Sequence, residues 1–147
     1  MSKFNSKSMY KEKKMAAKPS GIKVLIIIEL IIAALGIASG IGLLSDPSGK
    51  GMGLDVVKDK IPFQNLTLLG LWFMGPYGLL PAALAYGFYK GRVWAWKPAL
   101  YLAIIEVIWV LVQIPMVGRS ILQAVIGSIA VATIYFLYRP SVLNYLE

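Results

Sequence analysis

The sequence predicts an all-α membrane protein: four transmembrane helices in one bundle, with both termini cytoplasmic. Three observations lead there. Apolar residues make up 58% of the 147-residue chain and the mean hydropathy is +0.69, well above a soluble domain. Residues 22–44, 66–89, 98–117 and 120–138 are four largely apolar stretches of about 20 residues, the length a helix rising ~1.5 Å per residue needs to cross a ~30 Å hydrocarbon core. The basic residues are also unevenly spread. If the chain crosses four times, eleven of the fifteen fall on the side of the termini, which the positive-inside rule makes cytoplasmic. Alternating β-barrel patterning is absent. Residues 1–21 are then a basic tail, 22–138 the membrane domain with an external loop at 45–65, and 139–147 a short tail, in a multi-pass protein of the plasma membrane.

The tail carries Lys3, Lys7, Lys11, Lys13, Lys14 and Lys18 against Glu12 alone, and Lys23 follows. It reads as a topology signal touching anionic lipid headgroups, in preference to nucleic-acid or partner recognition. The first stretch exceeds the ~7–15 apolar residues of a signal peptide, so it is expected to stay as an anchor. Within LIIIELII stands a single carboxylate, Glu29. Gly36 and Gly40 form a GxxxG pair. Glu29, Ala33, Gly36 and Gly40 share one helical stripe at i, i+4, i+7 and i+11, so the carboxylate is expected to face protein.

In the loop, Asp46-Pro47-Ser48-Gly49 fits a type I turn, and the spacing of Leu54, Val57, Lys58 and Ile61 predicts a short surface helix. Gly49-Lys50 lacks the upstream glycine and following Ser/Thr of a phosphate loop. Asn65-Leu66-Thr67 is a glycosylation sequon close to the bilayer. The second stretch holds Gly70, Gly75, Pro76, Gly78 and Pro81, which predict a kink near 76–81 that serves packing rather than a pocket. Lys90, Arg92, Trp94, Trp96 and Lys97, with Arg139 after the last stretch, form a basic and aromatic interface anchor.

The third stretch places Glu106 eight residues after Pro98, with Gln113 seven further on the same face. Lys18-Pro19 with Glu29 and Lys97-Pro98 with Glu106 suggest a weak internal duplication of helical hairpins, so the two carboxylates should lie at similar depth. An ionised carboxylate in hydrocarbon is costly, and each is expected to be protonated or hydrogen-bonded. In the fourth stretch Ser120, Ala124, Ser128 and Ala132 recur every four residues, a small-residue row for close helix contact inside one bundle or between subunits.

Chemistry is scarce. The chain has no cysteine and no histidine, which removes disulfides, thiolate nucleophiles, imidazole bases and the usual haem, copper and zinc ligands. Carboxylates could hold a hard cation, but no dense cluster of them occurs. The expectation is a protein that is not an enzyme and carries no cofactor or metal. Its net charge of +8 is a membrane-topology charge rather than a nucleic-acid footprint.

KPSGIKVLIIIELI, YGFYKGRVWAW and YFLYRPSVLNYL resemble an uncharacterised family of small four-helix membrane proteins common in archaea. The resemblance covers most of residues 18–146 and implies fold and topology; it brings no catalytic residues. Two functions follow as expectations. The first is a non-catalytic accessory subunit of a larger membrane complex, of the archaeal respiratory or ammonia-oxidising (ammonia monooxygenase) kind, with other membrane subunits as partners. The second is a small proton- or ion-coupled transporter using Glu29 and Glu106, since four helices with a glutamate in the first are similar to the small multidrug resistance proteins.

Overall fold

A computed structural model describes residues 18–60 and 65–146. The tail lysines Lys3, Lys7, Lys11, Lys13 and Lys14 lie outside the described residues, as does Ile61, and so do the side chains of Val57 and Lys58. Among the described residues the chain is all helical, without strands.

Helix α1, Ser20–Ser45, begins directly after Pro19 and runs through an uninterrupted Ile-, Leu-, Ala- and Gly-rich segment. It stops where Asp46 donates its N–H to the Gly42 carbonyl and Pro47 follows. The predicted turn is present. Gly49 N–H reaches the Asp46 carbonyl at 3.0 Å, while the Asp46 carboxylate accepts from Ser48 N–H at 3.1 Å, the Ser48 hydroxyl at 2.5 Å and Gly51 N–H at 3.1 Å. The Ser48 hydroxyl, followed by Gly51 N–H, holds this carboxyl below its ordinary value. Gly49 is left-handed at φ 74°, and a side chain there would also strike Leu66. Beyond it the expected surface helix takes the form of two 3₁₀ turns, Lys50–Met52 and Asp55–Lys60.

The second apolar stretch is one helical rod in three pieces: α2 (Thr67–Met74), a π-helical turn (Gly75–Leu79) and α3 (Leu80–Tyr89). The irregularity falls where the prolines predict it. Pro81 has no N–H for the Tyr77 carbonyl four residues back, so the α ladder cannot continue there. Leu80 donates instead to Gly75, five residues back.

This rod lies antiparallel against α1, and the approach is backbone to backbone. A Cβ on Gly36 would collide with the Tyr77 carbonyl. One on Gly40 would come within 2.9 Å of Met74 N, and one on Gly78 within 3.2 Å of Ile37 N. Gly70 faces the side chains of Leu43 and Leu44. Gly70 and Gly78, read from sequence as parts of a kink, are also contact positions for α1.

A second antiparallel hairpin follows. The 3₁₀ turn Val93–Ala95 leads into α4, Trp96–Val117, and α5 spans Ile121–Leu137. Helix α5 starts with a capping box: Ser120 Oγ accepts from Gln123 N–H at 3.2 Å, and Gln123 Oε1 accepts from Ser120 N–H at 2.9 Å. The short α6, Pro140–Leu143, folds back so that Val142 is fully buried against Gly21.

The ends of α1, α3, α4 and α5 near residues 18–23, 89–97 and 137–146 gather into one basic end, where Ile22, Leu25, Leu84, Phe88, Ala99, Leu137 and Val142 form the core. Elsewhere the surface is aliphatic, as at Ile27, Leu30, Ile31 and Leu35 on α1. Three helical segments, Ser20–Ser45, Thr67–Tyr89 and Val93–Met116, are long and apolar enough to cross a membrane. The fourth, Ile121–Leu137, has 17 residues, at the lower limit for a span.

Candidate functional site

Glu29 and Glu106 come one from each hairpin. Glu29 lies nine positions after Ser20 in α1 and Glu106 ten after Trp96 in α4, so both sit about 14–15 Å along their helices. The Glu29 stripe is buried throughout: Leu25, Glu29, Ala33, Gly36 and Gly40 all face inward. Glu29 is 1% exposed and Glu106 6%. Glu106 acts electrostatically on Glu29 and on Tyr77, the buried tyrosine of the π-helical turn. Glu29 Oε2 is buried with no hydrogen-bond partner, so the expected interhelical hydrogen bond does not form at this oxygen. Within the four apolar stretches the single Lys, Arg or His is Lys23, exposed at the entry of the first. No buried cationic side chain is therefore available within them to pair with either carboxylate. Gln113, expected on the same face as Glu106, is only half-buried.

Helix α5 buries a different face from its small-residue row. Gln123, Ala130, Thr133 and Leu137 point inward, whereas Ser120, Ala124 and Ser128 are exposed and Ala132 is half-buried. The row was expected to serve close contact inside one bundle or between subunits; within this chain Gly127 and the inward residues face α4, with Gly127 against Val110. Ser120 is a helix cap, and Ser128 Oγ returns its proton to the Ala124 carbonyl at 2.7 Å. The row instead lines an open groove of about 830 Å³ between α4 and α5, walled by Val110, Ile114 and Val131 and bounded by Arg119 and Tyr135.

At the basic end Lys23, Lys90, Arg92, Lys97 and Arg139 are exposed, as an anchor at charged headgroups requires. Several cations rest on aromatic rings: Lys18 Nζ lies 3.3 Å from the centre of the Tyr89 ring, and Arg139 Nη1 donates to the Tyr135 hydroxyl at 2.6 Å. Tyr145 donates to the Tyr89 carbonyl at 3.4 Å, and burial, with Tyr89 beside it, pushes its phenol up. The two tryptophans differ. Trp94 is about half exposed, lying over Gly87. Trp96 Nε1 donates to the Leu137 carbonyl at 2.9 Å, and its ring meets Tyr138 edge-on at 5.4 Å.

Sequence reasoning missed Tyr77, Gln123 and the tethering role of Trp96. Ser120-x-x-Gln123 is a capping-box signature and was legible. Tyr77 sits between Pro76 and Pro81, where a break in register was foreseeable but the inward turn of its ring was not. Among the described residues no group of three or more His, Cys, Asp or Glu could hold a metal ion. Compared with protein-family models, curated proteins and solved structures, the chain matches none.

Proposed function

We propose that the chain is a four-span protein of the plasma membrane, with both termini cytoplasmic, that serves as a non-catalytic accessory subunit of a larger membrane protein assembly. The observation that carries this reading is the α4–α5 groove, whose floor of Ala124, Gly127, Ser128 and Ala132 would let another helix backbone approach closely and is left open by this chain. Helix association is not hydrophobically driven within the bilayer, so close packing of this kind is what holds subunits together there. The 17-residue α5 counts as a span once its cap and Tyr138 are included. Anionic lipid at the basic end is the second partner.

Isolation in mild detergent followed by mass spectrometry of co-purifying chains tests the assembly. Ala124→Leu and Ser128→Leu are expected to lower the yield of the complex about tenfold, the equivalent of ~1.4 kcal/mol, while Val125→Leu on the neighbouring exposed surface leaves it unchanged. Equal yields for all three variants would remove the groove from the interface. Topology has its own test. A membrane-impermeant thiol reagent applied to intact cells should label a cysteine placed at Ser48 and spare cysteines at Ser8 and Asn144, and the reverse pattern would invert the orientation.

A second reading, a small proton- or ion-coupled transporter, is favoured by one specific observation: the unpartnered, buried oxygen of Glu29 beside Glu106. Proton flux or cationic-substrate uptake by the purified chain in liposomes, abolished by Glu29→Gln, would establish it over the subunit reading.

A further inference from the structure

We propose that Glu29 and Glu106 form a proton-binding site where the two hairpins meet, the pair carrying its proton or protons as neutral carboxylic acid at neutral pH. The inference goes beyond both functional readings and requires neither. It starts from Glu29 Oε2, which is enclosed at a residue 1% exposed and has no donor. A buried carboxyl oxygen without a donor belongs to a group that must itself be neutral or be neutralised by a ligand. The neighbours narrow the choice of ligand.

The inward-facing and titratable groups on the other elements are these. The π-helical turn contributes Tyr77, a phenol, and α4 contributes Glu106 itself. The inward polar residues of α5 are Thr133, whose hydroxyl donates to the Ile129 carbonyl at 3.0 Å, and Gln123, engaged in the capping box at the start of the helix. Helix α3 has Tyr86 and Tyr89, both exposed. None is a cation. Two buried carboxylates, Glu106 acting electrostatically on Glu29, with no positive partner cannot both stay ionised without mutual repulsion added to the loss of hydration. A metal ion is the poorer ligand, because two carboxylates fall short of the six or more oxygens that hard divalent cations collect and no larger acidic group surrounds them. A proton needs only the two oxygens that are there. Binding one forms an O–H bond on one carboxylate and removes one unit of negative charge. The two groups act as one site with two linked steps, and the arrangement ties that charge to the contact between the hairpins, since each carboxylate belongs to one of them.

Infrared difference spectroscopy of the full chain in lipid vesicles tests this directly. The expected result at pH 7 is a carbonyl stretch of protonated carboxylic acid that shifts in D₂O and disappears in the Glu29→Gln, Glu106→Gln double variant. The remaining glutamates, Glu12 and Glu147, lie outside the apolar stretches. Each single Gln variant is measured as well, so that poor folding of the double variant leaves the assignment testable on whichever single one folds; loss of part of the band there supports the site. No acid band at pH 7, or a band indifferent to Gln at both positions, overturns the proposal. So does a band that vanishes at constant pH when sodium or potassium is added, since that would assign the site to a metal cation. Absence of transport in liposomes leaves the site standing while sinking the transporter reading, so the two outcomes are separable.

Discussion

Gly36→Ala is expected to destabilise the protein by about 3 kcal/mol or more, although alanine is the better helix former by ~1 kcal/mol. The reversal of sign is what makes the experiment informative. A methyl group on Gly36 would occupy the space of the Tyr77 carbonyl, with Gly78 N–H only 2.8 Å away. These are backbone atoms of the opposing rod, which cannot rotate aside as a side chain would. Relief requires separating α1 from the π-helical turn, and that opens the seam along Gly40, Gly70 and Gly78 as well. Gly40→Ala, with its nearest backbone atom at 2.9 Å, is expected to fall between Gly36→Ala and the parent. Gly75→Ala is the control, because φ there is −79° and nothing lies within 4 Å; it should be neutral or slightly stabilising. Unfolding of purified protein in mixed micelles, followed by circular dichroism, gives the ranking. A Gly36→Ala protein as stable as the parent would show that the two rods are not in backbone contact.

That contact was half legible in the sequence. The GxxxG spacing of Gly36 and Gly40 marks one side of it, and the 3.6-residue period puts Glu29 and Ala33 on the same stripe. The partner side was not legible, because Gly70 and Gly78 lie in a segment whose prolines break the helical register. Periodicity assigns no face across such a break. The four apolar helices were visible because span length and hydropathy are properties of single segments. Which face of α5 turns inward is a property of the pair α4–α5, and the small-residue row, which fits contact inside one bundle or between subunits, did not decide it. Gln123 and Thr133, which look like surface residues, take the inward positions, since Gln123 closes the cap and Thr133 hands its hydroxyl proton to its own helix. Polar residues that satisfy themselves locally can be buried at little cost. Glu29 has no such local outlet, and its burial was readable only as a question.

Trp96→Ala is expected to lower stability by about 3 kcal/mol, through lost ring packing and a lost hydrogen bond. Trp96 opens α4, and its indole N–H reaches the carbonyl of Leu137, the last residue of α5. That carbonyl is one of the four at a helix end that have no donor within the helix. The tie therefore closes the second hairpin at its basic end, next to the buried Leu137 and Val142, and the edge-on contact with Tyr138 extends it. Trp96→Phe separates the contributions: it keeps a ring for Tyr138 but removes the donor, and should cost about 1 kcal/mol. If Trp96 were only an interfacial anchor like its neighbour, Trp94→Ala and Trp96→Ala would be equivalent. The unequal surroundings of the two rings predict otherwise, with Trp94→Ala clearly milder because its ring is about half exposed. Amide exchange adds a local readout, since Trp96→Phe should speed exchange in the last turn of α5 and leave the Ser120 cap untouched. Equal losses for Trp94→Ala and Trp96→Ala, with no change in that turn, would return Trp96 to the role of a membrane anchor and leave the hairpin end without its tie.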